Sequence, residues 1–176
     1  MTPVPSRYAS VFRSLHWLLL AALILQFAIV FSFGLFDEHS TGHTVLFVAH
    51  TTTGTIILIG GALLLLARLT TATPSNAGLP VWQQKLSALV HWSLYLLLFV
   101  QPLGGIAMTM LHGHTVPLFG LFEIPQLLPE SKGLGAALGE FHEIVAWVFA
   151  GLIGFHAVAA LYHYWVVRDD ILQRMR

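Results

Sequence analysis

The sequence predicts an all-α membrane protein, a bundle of four transmembrane helices with both termini on the cytoplasmic side. Three observations carry this. Of 176 residues, 56% are apolar and only 9% charged, where a soluble domain carries about 25% charged residues. The apolar residues gather into four runs of the roughly 20 residues needed to cross a hydrocarbon core. The lysines and arginines fall almost wholly on one side of those runs, the side that faces the cytoplasm in membrane proteins. The length suits one compact unit, so residues 1–176 are expected to form a single membrane domain.

The first run, about residues 15–36, follows Arg7 and Arg13. It is longer than the roughly 7–15 apolar residues of a cleaved secretory signal, and no small-residue cleavage site follows it, so it is expected to be retained. A short outer connection, "DEHSTGH", leads to the second run, about residues 44–69. The Pro/Gly/Ser-bearing "TTATPSNAGLP" then leads to the third, about residues 86–111. A longer outer loop, residues 112–140, contains "LFGLFEIPQLL" and is expected to lie along the interface before the fourth run, about residues 141–167. None of the four shows sustained strand alternation, and a segment crossing lipid must satisfy its own backbone polar groups, so each is read as a helix.

Seven of the eight basic residues sit at the predicted cytoplasmic ends: Arg7, Arg13, Arg68, Lys85, Arg168, Arg174 and Arg176. Lys132 alone lies outside, with Asp37, Glu38, Glu123, Glu130, Glu140 and Glu143. The formal charge is zero, so no basic surface argues for nucleic acid. There is no cysteine. That excludes disulfides, cysteine-held iron–sulfur clusters and covalently attached c-type haem. Any redox cofactor must be held by other ligands.

Ten histidines in so apolar a chain are the anomaly. Polar groups within spans are costly and are functional candidates by default. In the fourth span His142 and His156 stand fourteen residues apart, which on a helix is about 40° short of four turns and about 21 Å of rise. They share a face, one in the outer half of the bilayer and one in the inner half, and His163 extends the stripe to the cytoplasmic edge. His16 enters the first span in the inner half, and His50 enters the second in the outer half. Matched by depth, His16 faces His156 and His50 faces His142. Two imidazole pairs stacked across a bundle are what two bis-histidine haems require. Depth alone leaves His91 and His163 open as inner-half ligands. Gly54, Gly60, Gly61, Gly151 and Gly154 leave room for a flat ring, though small residues also serve helix packing.

"SLHWLL", "AHTTTG", "HWSLYLLLFVQPLGGIAM" and "FHE…GFHAVAALYHYW" resemble the bacterial cytochrome b-561 family, four-helix di-haem membrane cytochromes related to the cytochrome subunits of nickel hydrogenases. The resemblance covers nearly the whole chain. It implies two b-type haems, the inner on His16 and His156 and the outer on His50 and His142. It further implies a bacterial inner-membrane oxidoreductase that exchanges electrons with quinone, ubiquinone in particular, on the cytoplasmic side, and superoxide is one donor attributed to the family. The quinone would lie near His91 and His163, since histidine exchanges protons near neutral pH, with Arg68 as a further contact. An acidic outer face opposes steering of an anion such as superoxide, so a redox protein stays open as the donor.

His39 and His43, and the His112–Gly113–His114 stretch, have spacings that suit zinc or copper, although exposed loops also carry histidines with no ligand. The competing class is a haem-free transporter in which the histidines relay protons or a divalent metal. Such paths ordinarily use carboxylates within the membrane, and none of the spans has Asp or Glu near its middle.

Overall fold

The computed structural model describes residues 5–75 and 78–176. Its frame is four long helices: α1 (Ser10–Ser32), α2 (Thr41–Thr70), α3 (Val81–Leu111) and α4 (Lys132–Tyr162). All four are long and apolar enough to cross a membrane. Each is apolar around most of its circumference, as lipid-facing helices are, so large side chains such as Leu18, Ile24, Leu66, Leu96 and Val158 lie exposed on the outer surface of the bundle.

Local chemistry sets the ends. Ser40 caps α2 by accepting from the His43 amide at 3.2 Å, satisfying one of the orphan donors of the first turn. Pro80 precedes α3, where its missing N–H is no loss. Pro102 lies inside α3 and leaves the Leu98 carbonyl without its usual helical donor.

Helix α4 begins at Lys132, well before the start near residue 141 that apolarity suggests. Gly133, Gly135 and Gly139 dilute the hydropathy of "KGLGAALGE", yet close approach demands small residues there. A Cβ on Gly135 would meet the His112 ring at 2.9 Å, and one on Gly139 would meet Met108 Sδ at 3.2 Å. The expected outer loop therefore ends at residue 131, and it is not irregular throughout. Strands β1 (Val116–Leu118) and β2 (Phe122–Ile124) pair antiparallel, with Leu118 opposite Phe122. Three residues join the strands: Phe119 and Gly120 both have positive φ, 57° and 66°, as the central residues of a tight reversing turn, and the Leu121 amide closes it by donating to the Leu118 carbonyl at 3.1 Å. Thr51 Oγ1 donates to the Pro117 carbonyl at 2.5 Å, and Thr52 Oγ1 accepts from the Phe119 amide at 2.8 Å, fastening the hairpin to α2.

The core gathers Phe12, Leu19, Ile57, Leu64, Ala67, Tyr95, Leu98 and Phe149. Helix α1 packs on α2, α2 on α3 and α3 on α4. Among the described residues α4 makes no comparable packing with α1 or α2. It meets them through side chains instead, with Phe149 in the shared core and Trp147 6.0 Å from Phe31 between ring centroids.

Beyond α4 the chain turns back. His163–Val167 forms a π-helical turn, Arg168 takes a left-handed conformation, and a short 3-10 turn spans Leu172–Met175. The Tyr8 amide donates to the Arg174 carbonyl at 3.1 Å and Trp17 Nε1 to the Met175 carbonyl at 2.9 Å. Arg13 donates to the Arg176 carbonyl. The tail thus spans the end of the bundle where α1 begins.

Candidate functional site

Two pairs of imidazoles meet between α4 and the helices α1 and α2. His16 on α1 and His156 on α4 have ring centroids 6.1 Å apart, and His50 on α2 and His142 on α4 have theirs 6.3 Å apart. These are the pairs that depth matching puts together. A ring nitrogen sits about 2 Å from a bound metal ion and the ring centre about 1 Å behind it, so two imidazoles across one metal have centres about 6 Å apart. Both pairs have that spacing.

His91 on α3 approaches His156 edge-on at 5.0 Å. That is shorter than the roughly 6 Å expected of two rings sharing one metal. The Nδ1 of His91 donates to the Ser87 carbonyl at 2.6 Å, which settles which nitrogen holds the proton. His163 touches neither pair. Its Nδ1 meets Asp169 Oδ2 at 2.6 Å instead. Arg68 stands in the last turn of α2, where a cation is favoured by the helix dipole, and no hydrogen bond or ion pair joins it to His91 or His163 among the described residues.

The His50–His142 pair has partners that an apolarity scan passes over. Gln26 of α1 brings its amide nitrogen to 2.9 Å from His50 Nδ1. Gln101 of α3 donates to the His142 carbonyl at 2.9 Å. The signal was available in the sequence, since an amide inside a span is itself a polar anomaly. Gly105 lets the His142 ring approach α3 closely, since a Cβ there would lie 2.9 Å from Cε1. Of the other glycines, Gly60 and Gly61 pack against Leu19 and Leu98, while Cβ atoms on Gly151 and Gly154 would meet nothing within 4 Å. Among the described residues no three His, Asp or Glu side chains converge to hold a metal ion, and the outer His39, His43, His112 and His114 form no such cluster. The His112 ring packs on Gly135 and its Nδ1 donates to the Met108 carbonyl at 2.9 Å.

Fold and site together define a helical membrane protein with paired histidines at two levels along α4. The chain belongs to the prokaryotic cytochrome b561 family, which it matches over residues 7–176. It is 28% identical over 171 residues to cytochrome b561 homolog 1 of Escherichia coli (strain K12), covering 97% of each chain. Homolog 2 of the same organism is 27% identical over 177 residues, 99% of this chain and 93% of the relative. A Yersinia pestis protein named "Probable superoxide oxidase CybB" is 29% identical over 170 residues, 96% and 95% of the two chains.

Membership implies haem b as the cofactor, and the residues present fit that group. Each pair includes a buried ring nitrogen with no hydrogen-bond partner, His16 Nδ1 in one and His142 Nδ1 in the other. An unpaired buried polar atom is costly and normally has a reason.

Proposed function

We propose that this chain is a di-haem b-type cytochrome of the bacterial inner membrane, carrying electrons from a donor at the outer face to quinone at the cytoplasmic edge. His50 and His142 would hold the outer haem, and His16 and His156 the inner one. Bound between two imidazoles, haem iron supplies one-electron transfer by alternating between two oxidation states. Gln26 and Gln101 steady the outer pair, one at the His50 ring and one at the His142 backbone. His91, whose ring meets that of His156, would supply the quinone contacts together with His163 and Arg68. Both termini are read as cytoplasmic from the distribution of basic residues.

The observation that carries this reading is the pair of ring separations, 6.1 and 6.3 Å, at two depths of the same helix. Superoxide is one candidate donor, supported by the name of the Yersinia relative. Six acids outside against one lysine oppose steering of an anion, and Lys132 itself stands 3.9 Å from Glu130. A redox protein docking on that acidic face is the alternative. Either donor must be reducing enough to drive an electron inward, against about 2.3 kcal/mol per 100 mV for full traversal.

The test is a haem count on purified protein with His16, His50, His142 and His156 replaced in turn. Two haems in the parent are expected, with the same haem lost for both members of a pair. Colourless, folded parent protein, or four variants that all retain two haems, would refute the assignment.

A further inference from the structure

We propose that Asp169 is a positioning residue for proton delivery: it holds His163 by Nδ1 so that Nε2 faces the quinone oxygen as the donating atom. The inference rests on the quinone reading above and extends it to a residue that neither hydropathy nor histidine spacing singles out.

The chain departs from regular helix to make this contact. Helix α4 ends at Tyr162, and His163–Val167 widens into a π turn, a form that concentrates at functional sites. Arg168 then adopts φ 60°, a conformation costly for a residue with a side chain. A helix end of this kind ordinarily uses glycine. The reversal brings the amides of Arg168 and Asp169 to the His163 carbonyl at 2.7 and 3.3 Å. It also delivers the Asp169 carboxylate to the imidazole of the same residue. Oδ2 lies 2.6 Å from Nδ1, and Oδ1 accepts from the Ile171 amide at 3.1 Å, so both oxygens are committed. The His163 side chain is 15% exposed and that of Asp169 27%, so water competes weakly for the contact. Farther along, Tyr8 and Trp17 fasten the tail to the start of α1, one residue from His16.

A carboxylate accepting from Nδ1–H fixes the ring's orientation and leaves proton exchange to the opposite nitrogen. Among the described residues His163 Nε2 has no hydrogen-bond partner. Quinone takes two electrons and two protons to become quinol. The electrons come from the outer donor through the protein. The Nε2–H bond breaks as an O–H bond forms on one quinone oxygen, while Nδ1–H stays with Asp169. Nε2 then regains a proton from cytoplasmic water, and the other oxygen takes the second proton from water at the same edge.

The experiment uses haem-loaded protein, reduced with dithionite and freed of excess reductant, and follows its reoxidation by decylubiquinone at increasing concentration. Asp169→Asn is expected to lower the maximal rate about a hundredfold, the scale of a positioned acid–base group, with half-saturation and haem spectra unchanged and a larger solvent deuterium isotope effect. Asp169→Glu should restore most of the rate. Adding Asp169→Asn to His163→Gln should cost nothing further. Were the Asn variant unable to hold haem, Asp169→Ser decides in the same way. Parent-like rates in Asp169→Asn beside a slow His163→Gln would overturn the role of Asp169 and leave the quinone site standing. Parent-like rates in His163→Gln would overturn the quinone site at His163 and this inference with it. An additive loss in the double variant would reduce Asp169 to a structural tether and likewise overturn the proposal.

Discussion

Replacing Gly105 by alanine tests the outer pair without touching a ligand. The added Cβ would lie 2.9 Å from His142 Cε1, 3.4 Å from Nδ1 and 3.6 Å from Nε2. Comfortable carbon–carbon contact is about 3.5–4.0 Å, so the ring must retreat by well over half an ångström. A free side-chain end absorbs such a shift, but a ring that holds haem iron as proposed would have to move its ligating nitrogen with it. Overpacking of this kind costs about 1–3 kcal/mol, which is about a fivefold to 150-fold loss of affinity for the outer haem. Gly104→Ala is the internal control, because its Cβ would stand 3.9 Å from the same ring, an ordinary contact. Both changes gain the same helix propensity of about 1 kcal/mol, so their difference isolates the clash. Haem transfer to excess apomyoglobin, followed at the Soret band, measures the loss. Expected is faster release of one haem from the Gly105 variant alone, with the second haem unaffected. Equal release from both variants, or loss of the inner haem, would refute the reasoning.

Two further outcomes follow from the same geometry. Gln26→Leu removes the amide at His50 and should weaken the outer haem about tenfold to a hundredfold, as loss of an outer-sphere partner does; a redox titration and haem count that match the parent would contradict it. For orientation, the cysteine-free chain allows single labels at Ser6→Cys and Glu38→Cys, both exposed. A membrane-impermeant maleimide should reach Glu38→Cys from the outer side and Ser6→Cys only after the membrane is opened, and the reverse pattern would invert the topology.

Composition alone determined that this chain is a bundle of long apolar helices, because a hydrocarbon solvent leaves few other ways to satisfy a backbone. Helical periodicity likewise put His142 and His156 on one face, and antiparallel depth matched them with His50 and His16, since rise per residue is a property of the helix itself. Tertiary structure decided what depends on neighbours. The early start of α4 was hidden because Gly135 and Gly139 lower hydropathy for the sake of close contact with His112 and Met108. The hairpin escaped notice because its anchors, Thr51 and Thr52, lie more than sixty residues away in sequence. His91 and His16 both approach His156, at 5.0 and 6.1 Å between ring centroids, separations that only the packing between helices sets. Asp169 reads in sequence as one more charge in a polar tail. It meets His163 only because a π turn and a left-handed arginine fold the chain back on itself, and no periodic pattern encodes that reversal.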